Sequence, residues 1–238
     1  MKINTFSITA RCEQTGQLGV AVSTKVPAVG MLCPFVESGV GAIATQSFVN
    51  PYLGIWGLDH LRHGHSAQET IEALMTADPG IAFRQVSIVD AHGNSVAFSG
   101  DQCDGWYGHY TGPNYAIAGN MLVGSETLLA MQASFVSSHS ASLPLVERLL
   151  TALQAGQDAG GDKRGRQSAA VKVYHHEAYP LLDLRVDEHP DPVPELVRIY
   201  QVAQTSLVPL LNMLPTRDTP AGRFDLEESR RKGLLQDD

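Results

Sequence analysis

Cysteine is scarce in this chain: three in 238 residues, Cys12, Cys33 and Cys103, far apart in sequence. An odd, scattered set supplies neither a disulfide framework nor a CxxC metal clamp, and reads as buried thiols in a reducing compartment. Long apolar runs are missing as well. No stretch approaches the roughly 18 residues that a membrane helix needs, and the opening MKINTFSITARC has no apolar core of the kind a signal peptide carries. A cytoplasmic protein with no membrane partner is the expectation. Charge is thin, at 18%, below the roughly 25% of an average soluble protein. Basic residues are the minority, 17 against 25 acidic, for a net charge of −8. That balance argues against nucleic acid as a partner, because a phosphate backbone rewards a basic face. There is no low-complexity tract and no repeat at solenoid spacing. What is present is a normal 43% of hydrophobic residues, in a chain long enough to bury roughly 70% of its unfolded surface.

The order of elements is informative. TFSITAR alternates, with Phe6 and Ile8 on one side and Thr5, Ser7 and Thr9 on the other. EQTGQ is turn chemistry and LGVAVSTK returns, so residues 5–25 read as a hairpin. GAIATQS, residues 41–47, is a third strand, followed by a helix over about 53–63 and a second helix opened by a Ser66/Glu69 capping box. RQVSIVD and SVAFSG flank a turn, and YAIAGN is a further strand. Helices are expected over about 125–136 and 143–155, then strands at SAAVKVY and LLDLRV, then a helix over 193–204. Paired strands alternating with paired helices disfavour a doubly wound parallel sheet and suit antiparallel sheets inside helical layers. Residues 5–188 read as one domain and 189–214 as a Pro-rich linker and last helix. Residues 215–238 read as a polar, flexible tail. The apolar stretch Leu207–Leu214 offers a surface for a second copy of the chain.

Several motifs compete for the chemistry. Residues 39–44, GVGAIA, fit G-x-G-x-x-A, but the glycines precede a strand-like run, where a dinucleotide fingerprint needs them after a strand and opening a helix. His60, His63 and His65 share a helix end, where a solvated terminus is a commoner explanation than a metal. GDQCDGWYGHY reads either as a binding loop with aromatic walls or as a hairpin. The loop GGDKRGRQS is more distinctive. It concentrates Asp162, Lys163, Arg164, Arg166, Gln167 and Ser168 before a strand, and two arginines in a cleft can orient a carboxylate. Thr5 opens the first strand. Were the preceding peptide bond cut, it would carry a hydroxyl nucleophile and an α-amine whose pKa near 7.7–8.0 suits a general base. On this residue alone, a strand threonine in an uncut chain is the default.

The body resembles the bacterial DUF1028 family, placed in the N-terminal nucleophile (Ntn) hydrolase superfamily. The resemblance covers about residues 5–200. It rests on TFSITAR, LGVAVSTK, VGAIATQ at 40–46, GLDHLRHGHSAQE at 57–69, FRQVSIVD at 83–90 and AGNML at 118–122. LLTALQAGQDAGGDKRGRQSAA at 149–170 and LRVDEHPDPVPEL at 184–196 complete it. The resemblance implies an α+β fold, a four-layer αββα sandwich with two antiparallel sheets between helical layers. It also implies hydrolysis of a small amide or N-acyl substrate with no cofactor. Thr5 would be the nucleophile, freed by removal of residues 1–4 as a leader, through trimming or self-cleavage. Lys25, sharing a strand face with Ser23, would lower the amine's pKa. The backbone around Gln46 and Ser47 and the side chain of Asn120 would hold the oxyanion. Asp162 and Ser168 would orient the α-amine, and Arg164 and Arg166 would bind a substrate anion. Two other readings remain: a binding or assembly protein that keeps the fold without the chemistry, and a metal-dependent hydrolase built on the histidines of residues 59–65.

Overall fold

The computed structural model describes residues 5–140, 143–223 and 231. The leader read over residues 1–4 and most of the tail read over 215–238 lie outside them. The chain forms two compact units, residues 1–196 and 197–238. In the first, six antiparallel strands make one sheet in the order β10 (Leu182–Val186), β9 (Ser168–Tyr174), β2 (Leu18–Thr24), β1 (Thr5–Arg11), β8 (Tyr115–Leu122), β7 (Trp106–Gly112). Four make the other: β3 (Pro34–Glu37), β4 (Gly41–Ser47), β5 (Arg84–Asp90), β6 (Ser95–Ser99). The sheets pack face to face. Helices α4 (Glu126–Ser140) and α5 (Leu145–Asp158) cover the outside of the first, and α2 (Pro51–Arg62) and α3 (Ala67–Ala77) the outside of the second. This is the four-layer αββα sandwich. The short α1 (Val29–Leu32) follows β2 and packs on β9. The second unit contains the end of α6 (Pro192–Ser206) and α7 (Val208–Leu211), with Leu207, Leu210 and Leu214 partly exposed. Among the described residues no helix is long and apolar enough to cross a membrane.

The alternation in β1 sets the layers. Phe6 faces the helical layer, where Gly156 and Gly161 leave room for its ring. Ser7 and Thr9 face the second sheet, where they hydrogen-bond Gln46 and Ser87. Both faces of the strand are therefore buried, the polar one included. The space between the sheets has two halves. Toward β2 and β9 it is filled by Leu18, Val20, Val22, Val36, Ala42, Ala44 and Ala170. Toward β8, β5 and β6 it is lined by amides and hydroxyls.

Local chemistry fixes the helices of the second sheet. Asn50 caps α2 by accepting from the Tyr52 amide, with Pro51 at the first helical position. Ser66 and Glu69 close the capping box of α3. The core beneath these helices is Ile43, Leu53, Leu61, Ile71, Leu74, Val86 and Ile88. Helix α4 outruns the expected end at residue 136. The serine-rich stretch looks like a terminator, yet Ser137 and Ser138 satisfy their hydroxyls within the helix by donating back to the carbonyls of Ser134 and Phe135. GDQCDGWYGHY resolves into a hairpin partner, with β7 at the sheet edge. GVGAIA leads into β4, as a strand and not as a cofactor loop. His175 and His176 lie beyond the end of β9, with their ring centroids 3.6 Å apart and the ring planes tilted by 33°.

Asp78 braces the connection between β4 and α2. Its carboxylate accepts from Arg84 Nε at 2.9 Å, Asn50 Nδ2 at 2.9 Å and the Gly80 amide at 2.8 Å. Burial pushes the Asp78 carboxyl up, but these donors outweigh it and hold the pKa below the ordinary 3.8. A depressed carboxylate contributes stability that is complete above its unfolded pKa and is lost as pH falls through the folded value. Asp78→Asn should therefore destabilise the protein by roughly 1.5–3 kcal/mol at pH 7. Urea unfolding of both proteins across pH 7 to 2 should show that gap closing below pH 3.8. A gap independent of pH would refute the account.

Candidate active site

Thr5 is the first residue of β1, in the middle of the six-stranded sheet. Register places Asn120 of β8 opposite it on one side and Thr24 of β2 on the other, and Ser168 of β9 opposite Thr24. Directly paired antiparallel residues point to the same face. Asn120, Thr5, Thr24 and Ser168 thus form one polar row across four strands, all at most 1% exposed. Thr5 Oγ1 donates to Thr24 Oγ1 at 3.2 Å.

A network of amides faces this row from the second sheet. Ser7 Oγ donates to Gln46 Oε1 at 2.7 Å, and Gln46 Nε2 lies 3.5 Å from the Thr5 carbonyl. Gln46 Nε2 and Asn120 Nδ2 both donate to Gln85 Oε1, at 2.7 and 3.1 Å. Gln85 Nε2 in turn sits within 3.0 Å of Ser99 Oγ and of the carbonyls of Gly108 and Gly119, so its two protons serve three acceptors. Ser99 continues the chain to His109 Nδ1 at 2.9 Å, at the exposed edge. Buried amides cost free energy unless they are paired, and these are paired almost entirely with one another. Among the described residues, two of the four non-glycine residues in the left-handed region follow directly on the two amides: Ser47 (φ 71°) after Gln46 and Met121 (φ 51°) after Asn120. Strained backbone of this kind is retained where the surroundings over-determine it.

The loop after α5 crosses the same end of the sheet. Val123 donates to the Gly161 carbonyl, and Lys163 donates to the Met121 carbonyl, at the β8 side. Gln167 donates to the Thr24 carbonyl at the β2 side. The loop therefore spans the start of β1 like a strap.

The sequence-derived site residues fare differently. Thr5, Asn120 and Gln46 meet in the row and its network, and Ser168 completes the row. Ser47 ends β4 beside Gln46, and Cys103 lies within reach of its side chain. Asp162 comes to this end of the sheet, but its carboxylate accepts from the Lys25 amide at 3.1 Å, the Arg164 amide at 2.9 Å and the Arg164 guanidinium at 3.0 Å. Ser168 Oγ donates to the Val26 carbonyl and accepts from the Val29 amide. Both hold the segment after β2 in place. The remaining assignments are placed differently from the expectation. Ser23 lies one residue from Thr24 and so points to the opposite face from Thr5. Lys25 lies past the end of β2, with Nζ on the Arg166 carbonyl at 3.2 Å. Arg164 is closed on Asp162, and Arg166 is paired with Asp191 at 2.7 Å, so both guanidinium groups are already committed to carboxylates of this chain. His60 and His65 stack at 3.9 Å, and among the described residues no group of three His, Cys, Asp or Glu side chains could hold a metal.

Sequence reasoning missed Ser7, Thr24, Gln85 and Ser99. The signal for the first was the polar face of TFSITAR, and Gln85 stood at the head of RQVSIVD without a pattern to mark it.

Comparison with known proteins gives a consistent picture. A family model described as a family of unknown function, DUF1028, matches residues 5–196, close to the extent of the first compact unit. A crystal structure of a protein from Silicibacter pomeroyi, assigned to the same family model, is 32% identical with a TM-score of 0.85, covering 93% of this chain and 100% of its own. The ancestral beta-subunit Anbu from Yersinia bercovieri aligns at 13% identity and a TM-score of 0.36, over 88% of this chain and 98% of its own. No curated protein sequence matches the chain.

Gln85→Leu tests the network as a unit. It strands the amides of Gln46 and Asn120 and the carbonyls of Gly108 and Gly119. Each orphaned buried group costs about 1–3 kcal/mol, so chemical denaturation should show a loss of at least ~3 kcal/mol. A loss like that of an exposed glutamine would show that the network is not the brace described.

Proposed function

This chain belongs to the DUF1028 family, and from that membership and the geometry around Thr5 we propose that it is an Ntn-type amidohydrolase whose nucleophile is the Thr5 hydroxyl. One observation carries the reading: a threonine that starts a central strand faces a buried, mutually paired set of amides and hydroxyls. Such a set is preorganised, because its dipoles are fixed before any substrate arrives.

Removal of residues 1–4 would give Thr5 a free α-amine. That amine takes the Oγ1 proton as Oγ1 attacks the amide carbonyl of the substrate. The carbonyl π electrons move to oxygen. They return as the C–N bond breaks, and the ammonium returns its proton to the departing amine. The resulting ester is hydrolysed by water along the same route. Gln46 Nε2 has both protons engaged, toward Gln85 and the Thr5 carbonyl, whereas Asn120 Nδ2 uses one toward Gln85. The second N–H of Asn120 is the donor we assign to the oxyanion. The substrate is a small amide or N-acyl compound.

A second reading, a binding protein that keeps the fold without catalysis, is favoured by one fact. Thr5 is 0% exposed, and in the full chain its nitrogen belongs to the Asn4–Thr5 peptide. The two readings part on the mass of the purified, untagged protein. The amidohydrolase should carry a population beginning at Thr5, and a β-lactone acylating probe should add to that residue. Thr5→Ala should abolish the adduct, Thr5→Ser should retain part of it, and Asn120→Ala should slow its formation on the order of 10²–10³-fold. An uncut chain that the probe does not label at Thr5 would refute the proposal in favour of the binding reading.

A further inference from the structure

A second polar site lies at the other end of β1. Arg11 closes the strand that Thr5 opens, which separates them by about 20 Å at strand rise. Arg11 lines a cleft of about 400 Å³ together with Arg148 of α5, Phe135 and Val136 of α4, the β7–β8 turn at Asn114, and Glu13. Arg148 is only 6% exposed. Its guanidinium lies over the Phe135 ring at 4.2 Å and makes two long hydrogen bonds, to Ser138 Oγ at 3.3 Å and the Phe135 carbonyl at 3.4 Å. A guanidinium offers five N–H donors, so most of this one's capacity is unspent. Arg11 reaches Asn114 Oδ1 at 3.3 Å, and its buried Nε has no partner. Among the described residues no carboxylate lies within ion-pair distance of either arginine.

An unpaired buried cation is expensive. The Arg148 guanidinium shows the strain: burial pulls its pKa below the usual arginine value, and the Cys12 thiol is the one ionisable group acting in the other direction. Elsewhere in this chain partly buried arginines are matched, Arg84 with Asp78 and Arg164 with Asp162. Among the described residues the cleft is the exception, and it holds two.

We propose that this cleft is a binding site for a small organic monocarboxylate with an apolar body. The carboxylate is held between Arg11 and Arg148, where guanidinium geometry suits it, and the body rests against Phe135 and Val136. Glu13 on the rim disfavours a dianion such as phosphate, and the apolar wall gives a purely polar anion nothing to bury. The site is separate from Thr5 and does not depend on the activity proposed for it.

The test uses the full chain and three probes: 4-methylpentanoate, its neutral amide, and inorganic phosphate. Titration calorimetry and thermal shift should show binding of the acid, about tenfold or more weaker binding of the amide, and none of phosphate at the same concentration. Arg148→Met should weaken the acid by about tenfold or more while raising the melting temperature of the ligand-free protein, because it removes an uncompensated charge. Arg11→Gln should weaken binding without lowering the melting temperature. No binding of the acid, equal binding of phosphate, or an Arg148→Met protein that either binds normally or melts lower without ligand would each overturn the proposal. The last outcome would make Arg148 a structural cation held by Phe135.

Discussion

The structure depends on the burial of both faces of β1. A strand with one polar face ordinarily turns that face to water. Here Thr5, Ser7 and Thr9 turn it to a second sheet, so each hydroxyl needs a partner on that sheet or beside it. Gln85 is the joint that makes this workable. One amide gathers Gln46 from its own sheet, Asn120 from the opposite sheet, two backbone carbonyls and Ser99. The spacing and register of the two sheets follow from that meeting point as much as from the apolar packing on the β2–β9 side.

The polar half of the interface and the loop that straps the start of β1 divide the labour. The network fixes the side chains that face Thr5. Asp162, Gln167 and Ser168 fix the backbone of residues 24–29. That loop thus acts on geometry, through carbonyls and amides, while the uncharged residues of the sheets surround the hydroxyl. This inverts the expectation that the most heavily charged segment would touch the substrate.

Much of the fold was legible in the sequence because its signals are local. The TFSITAR alternation, the Ser66/Glu69 box, the turn at residues 91–94 and the pairing of helices all depend on residues within a turn or two of each other. The candidate site was legible in part. Thr5, Gln46 and Asn120 stood at strand ends, and strand ends at one edge of a sandwich tend to meet. The failures share a different cause. Whether Arg166 is free for a ligand depends on Asp191, and whether Ser168 is free depends on Val26 and Val29, in the segment after β2, well over a hundred residues earlier. Ser23 failed for a subtler reason: one residue of register separates the face of Thr5 from the face of Phe6.

The two sheets are threaded very differently. The four-stranded sheet is a continuous meander from residue 34 to residue 99, complete within its own stretch of chain. The six-stranded sheet joins the first two strands to the last four, and the row through Thr5 includes Asn120 and Ser168. That row cannot exist until the chain has been made at least as far as Ser168. On the ribosome, the threonine emerges first and waits for the whole body of the domain to follow before its surroundings are assembled. Whatever chemistry the row supports is therefore withheld from every nascent chain that stops short of Ser168, by strand order alone.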